Sequence, residues 1–300
     1  MNSNTSFLSQ TPYTDPGPLG EGGILDVRAL PRDPWELAGL VRGVLIHIAE
    51  AAARDYAIPL ERLHEDPQSR YVSVILRLLR ERSPAPLTEE RPYAERVLAT
   101  CRDFAVLHCA LLRATGTPAR VRCGFATYFL DGYHDDHWVT EYRLPDGTWR
   151  LTDAQLADGR YDVSFSPADV PRDRFLVGAD AWRACREGRA DPTSFGVSSI
   201  EGVSGLWFVA ADTVRDLAAL NGVEALPWDG WGIAAVEGDE DPAFTAADRE
   251  LLDRVAAATA ADDLPLLRRL YAHPRLRVPA EILSFTTFTG VRRVTLPIAD

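Results

Sequence analysis

No lysine occurs in the 300 residues; all 32 basic side chains are arginine. That removes lysine Schiff-base chemistry and a phosphate-cradling P-loop lysine from the possible activities. Positive charge is also outnumbered, with 44 acidic residues, a net charge of −12 and a pI near 5.0. No global field attracts polyanions, so the expected partners include neither nucleic acid nor an anionic membrane. Cysteine is sparse: Cys101, Cys109, Cys123 and Cys185 stand alone, without a C-x-x-C pair. Zinc ribbons and thioredoxin-type motifs are therefore excluded. No apolar run approaches the ~18 residues that span a bilayer. The first twenty residues carry neither a basic nor an apolar leader region. The reading from these absences is a cytoplasmic protein with reduced thiols.

What is present is an ordinary globular composition, 46% hydrophobic and 25% charged. Residues 1–32 are rich in Pro, Gly, Ser and Thr and read as an irregular arm. Asp33-Pro34 then supplies an N-cap and an N1 proline. Leu37, Leu40, Val41, Val44, Leu45 and Ile48 follow at helical spacing. A second helix is predicted over 68–82, stopped by Ser83-Pro84-Ala85-Pro86. Thr100, with Asp103 three residues on, has capping-box spacing at the head of a helix that Gly116 and Pro118 end. Strands are predicted over 119–130, 137–144 and 148–154, with Asp131-Gly132 and Pro145-Asp146-Gly147 as turns. A helix followed by consecutive antiparallel strands indicates an α+β class. Beyond about residue 165 helices are expected near 179–188, 206–221 and 245–272.

Cys101 falls at the first position of its helix, beside unpaired N–H groups and the positive dipole end. That setting lowers a thiol pKa, and the thiolate is the nucleophile. The Cys101 backbone N–H could also donate to an oxyanion. A nucleophile needs a base within reach. His108 lies two turns away, roughly 10 Å along the axis at 1.5 Å per residue, and is excluded as that base. His47 and His64 have nothing local to recommend them. His137 and Asp153 are different. A three-residue loop at Pro145-Asp146-Gly147 pairs Leu144 with Thr148, Tyr142 with Arg150 and Val139 with Asp153. His137 then becomes a diagonal neighbour of Asp153 on one face. A two-residue turn would slip the register and put them on opposite faces. The rival reading takes His134, Asp135, Asp136 and His137 as ligands for a divalent metal. Arg102, Arg120 and Arg122 read either as an anion site or as solvent-facing or ion-paired arginines.

Cys101-Arg102-Asp103-Phe104-Ala105, Leu111-Leu112-Arg113-Ala114, Gly116, Pro118-Ala119-Arg120-Val121 and Gly124-Phe125 form one block. Asp136-His137-Trp138-Val139 with Glu141, and Trp149-Arg150-Leu151-Thr152-Asp153, form two more. In this order the blocks resemble the core of the transglutaminase-like superfamily, over roughly residues 95–156. Arg102 stands where the cross-linking members carry tryptophan, and nothing resembles their β-sandwich domains. The likeness is therefore to the compact bacterial branch. It implies a papain-like α+β core with Cys101 as nucleophile, His137 as base and Asp153 orienting the base. No convincing calcium site is read in the sequence, and neither a cofactor nor a metal is expected.

The expectations are an irregular arm (1–32), a catalytic core (33–165) and a mainly helical region packed on or near it (166–300). The expected chemistry is acyl transfer or amide hydrolysis through a thioester. The expected partner is a peptide, amide or thioester substrate, with water or an amine acceptor resolving the intermediate. The alternative is a catalytically silent, protein-binding scaffold of the same fold.

Overall fold

The computed structural model describes residues 13, 25–286 and 290–296. The arm expected over 1–32 thus falls largely outside the described residues. Helix α1 (Pro34–Val44) starts as its sequence dictates, with the Asp33 carboxylate accepting from the N–H groups of Trp35 and Glu36. It stops earlier than its apolar spacing suggests. Leu45–His47 is a strand, β1, and Ile48 begins a 3-10 turn. The cause is non-local: β1 pairs in parallel with β2 (Val97–Ala99), register Leu45↔Val97 to His47↔Ala99. Between them lie α2 (Leu60–Glu65) and α3 (Val72–Arg82).

β2 runs through Thr100 straight into α4 (Cys101–Ala114). Asp103 Oδ2 accepts from the Thr100 N–H at 2.8 Å, the return half of the capping box. α4 packs on β3 (Ala119–Ala126) and β4 (His134–Arg143), and Thr140 Oγ1 donates to the Ala105 carbonyl at 3.1 Å. β5 (Trp149–Thr152) and β6 (Phe175–Val177) complete the order β5-β4-β3-β6, all antiparallel neighbours. β7 (Phe195–Gly196) adds to β4 in parallel. The β4–β5 turn has the expected form. Tyr142 faces Arg150, Leu144 N–H donates to the Thr148 carbonyl at 2.8 Å, and Gly147 takes φ +91°. β4 begins three residues before the predicted position, so His134 to Asp136 are strand, not loop.

Helices α5 (Gly178–Arg186), α6 (Leu206–Leu220), α7 (Ala246–Ala260) and α8 (Leu264–Tyr271) follow. The single helix expected over 245–272 is two, because the Asp263 cap and Pro265 start a new one. The region is also not purely helical. β8 (Asp229–Gly230), β9 (Glu281–Thr286) and β10 (Gly290–Thr295) form a second sheet. The Trp-rich segment 227–232 is packing, with Trp231 buried and its indole N–H on the Leu276 carbonyl at 2.9 Å.

β6 pairs with β3 only at Gly124–Ala126, which leaves the first half of β3 with an open edge. α6 packs on β3 there, and Asp216 Oδ1 accepts the Cys123 N–H at 3.0 Å. A covered edge cannot recruit a foreign strand. Gly124, opposite His137, is a steric requirement: a Cβ there would stand 2.1 Å from the Leu176 carbonyl oxygen. The architecture is α+β, a four-strand antiparallel path between α4 and the apolar cluster of Ala126, Val139, Leu151, Val170, Phe175 and Val177.

Candidate active site

Strand alternation separates His134 to His137, which disposes of the ligand set read from them. His134 stacks on Phe195, centroids 3.9 Å apart, and Asp135 accepts from Ser198 N at 2.8 Å and Oγ at 2.9 Å. Asp136 meets Asp212 of α6, and His137 meets Asp153.

The His137 Nε2–Asp153 Oδ2 distance is 2.7 Å, with both side chains buried. A carboxylate only accepts, so Nε2 carries a proton, and in the neutral ring the lone pair is on Nδ1. Asp153 is itself fully held. Tyr128 Oη donates to Oδ2 at 2.7 Å and Gln155 N–H donates to Oδ1 at 3.0 Å. Phe129 stands edge-on to the His137 ring at 4.9 Å, Tyr128 at 5.9 Å and Phe175 at 6.3 Å. A ring walled by aromatic edges and tied at one nitrogen has little freedom to turn.

Cys101 is the first residue of α4 and 8% exposed. The Trp138 N–H, next in chain to His137, hydrogen-bonds to the thiol and favours its ionisation. Burial outweighs this, the nearby carboxyl groups of Asp136, Asp103 and Asp153 act in the same direction, and the thiol is held well above its ordinary range. This corrects the expectation of a thiol lowered by the helix end. The resting group is a thiol. Cys109, Cys123 and Cys185 are likewise free and pushed up by burial, Cys109 to about 12 and Cys185 to about 11.

The three arginines near the motif do not face an open site. Arg102 is fully buried, donating to Asp103 at 2.9 Å and to the Ser69 carbonyl at 2.9 Å. Arg120 and Arg122 both donate to Glu141, at 2.5 and 2.9 Å, and Arg122 also reaches Asp216 at 2.7 Å. His108 is a packing histidine, its Nε2 2.9 Å from the Pro34 carbonyl.

Cys123, Asp136 and Asp212 bring one ligand atom each within 4.8 Å of one another. Asp136 Oδ1 and Asp212 Oδ2 are buried without a hydrogen-bond donor, and Arg215 neutralises Asp212 at 2.8 Å. One proton between the two carboxyls answers both open oxygens. Burial and mutual repulsion push Asp136 well up, and burial pushes Asp212 up to about 6. A folded pKa above the unfolded one means stability present at low pH and lost as pH rises through the folded value. Asp136→Asn mimics the protonated acid and lacks that loss. Its melting temperature relative to wild type should therefore become more favourable between about pH 4 and about pH 8. A difference independent of pH would count against the shared proton.

Sequence reasoning missed Tyr128, the Trp138 N–H and Asp212. A tyrosine just past a strand end and an aspartate mid-helix carry no local signal of these partners. The chain has a region matching the model of the transglutaminase-like superfamily, over residues 69–154. That stretch contains Cys101, His137 and Asp153 and begins upstream of the resemblance read from the motifs, taking in α3. No curated protein and no solved structure matches the chain.

Proposed function

We propose that this protein is a thiol acyl-transfer enzyme or amidase with a papain-like catalytic core over about residues 33–165. The observation that carries the reading is the His137–Asp153 hydrogen bond of 2.7 Å, one residue from the Trp138 N–H that meets the Cys101 thiol. Cys101 Sγ attacks the carbonyl carbon of an amide or thioester as its proton passes to His137 Nδ1. Asp153, already accepting from Nε2, stabilises the imidazolium as it forms. The tetrahedral intermediate collapses, His137 gives its proton to the leaving nitrogen or sulfur, and a thioester to Cys101 remains. Water or an amine, deprotonated by His137, attacks that thioester and releases Cys101. The substrate is a peptide, amide or thioester. The protein works in the cytoplasm, a location that four free cysteines suit. Residues 166–300 brace the catalytic sheet through α6.

The second reading is a silent scaffold of the same fold, and the burial of Cys101 is the observation in its favour. A p-nitrophenyl ester separates the two. The enzyme reading expects a burst of about one nitrophenolate per chain on first mixing, from acylation faster than deacylation. Release with no burst, at the rate of the ester in buffer, would support the scaffold.

A further inference from the structure

His47 is a second histidine beside the site, and its hydrogen bonding allows it only one role there. The β1–β2 register sets His47 opposite Ala99, two residues before Cys101. Its ring centroid is 6.4 Å from that of Phe104, on the first turn of α4. His137 and Asp153 are both within electrostatic reach of it. Its Nδ1 accepts the Ala49 N–H at 3.2 Å, so the proton of the neutral ring sits on Nε2. Burial keeps the ring neutral, holding its pKa down at about 4 despite Glu50. Among the described residues Nε2 has no hydrogen-bond partner, and it is not among the sealed polar atoms. A ring in this state offers no lone pair and cannot serve as a base. It can only donate.

We infer that His47 Nε2–H, together with the Cys101 backbone N–H, is the oxyanion-stabilising pair for acyl transfer at Cys101. The inference rests on the thiol reading above. The Cys101 N–H is one of the first amides of α4, which have no partner within the helix. Attack at a carbonyl builds negative charge on oxygen, and a neutral imidazole donor meets that charge without itself ionising. The same donor does nothing for displacement at a saturated carbon, where no oxyanion forms.

That contrast supplies the test. Cys101 of the full-length protein is acylated with p-nitrophenyl acetate and, separately, alkylated with iodoacetamide, each rate followed by peptide mass at Cys101. His47→Ala should slow acylation by roughly 10²–10³-fold and leave alkylation within about twofold of wild type. His47→Asn, whose side chain can still accept the Ala49 N–H, should match it and guards against a folding artefact. Unchanged acylation in either folded variant overturns the inference. So does an equal fall in both reactions, which marks a structural role. Wild-type protein that alkylates but never acylates at Cys101 overturns the thiol reading itself, and the inference with it.

Discussion

Cys101→Ala should remove ester and amide turnover to the level of buffer, a loss on the order of 10⁴-fold or more, because no other group can form the thioester. His137→Ala should cost roughly 10²–10⁴-fold. The penalty is severe here because the resting thiol is protonated: burial above all, with neighbouring carboxyl groups acting in the same direction, holds it high, and no thiolate stands ready without a base. Asp153→Asn should fall between wild type and His137→Ala. The amide still holds the ring, but it can present N–H in place of oxygen and favour the wrong tautomer. Cys101→Ala and Asp153→Asn should melt close to wild type, whereas His137→Ala empties a buried ring site and removes a donor from Asp153, so its activity is read at a temperature where it is folded. Full activity in His137→Ala would assign the proton to another group. His134 does not take that place easily, stacked on Phe195 and directed to the opposite face of β4.

The largest effect on stability should come from Glu141→Ala. Glu141 is fully buried and accepts from Arg120, Arg122 and Arg172. Burial alone would raise its pKa, but Arg122, Arg120 and Arg172 overcome this and hold the carboxyl well below its ordinary value of 4.5. Removing it leaves arginine charge buried without its partner, at about 3–5 kcal/mol. That is a drop on the order of 10 °C in melting temperature for a chain of this size. A depressed carboxylate contributes stability above its unfolded pKa and loses it as pH falls. The gap between wild type and variant should therefore narrow below about pH 4.5. A variant that melts with wild type at neutral pH would show the three arginines to be satisfied without Glu141.

Much of the site was legible because its determinants are local. Pro145-Asp146-Gly147 sets a register in which Tyr142 meets Arg150, and that register carries Asp153 towards His137. Thr100 and Asp103 mark the start of α4 for the same reason. The failures are of another kind. Leu45–His47 continues the apolar spacing of a helix, and only pairing with Val97–Ala99, some fifty residues on, makes it a strand. His47 gains its place from that pairing, so no local pattern recommends it. The expected lowering of the Cys101 thiol rested on the helix end alone. The opposing carboxyl groups of Asp136 and Asp153 arrive from β4 and from the residue just after β5, which the position of Cys101 does not disclose.

The most direct measurement is peptide mapping of wild-type protein quenched within the first turnover of a p-nitrophenyl ester. The account predicts one acyl group per chain, on Cys101 and labile to hydroxylamine as a thioester is. An acyl group on Cys109, Cys123 or Cys185, or on an oxygen nucleophile, with Cys101 unmodified, would contradict it.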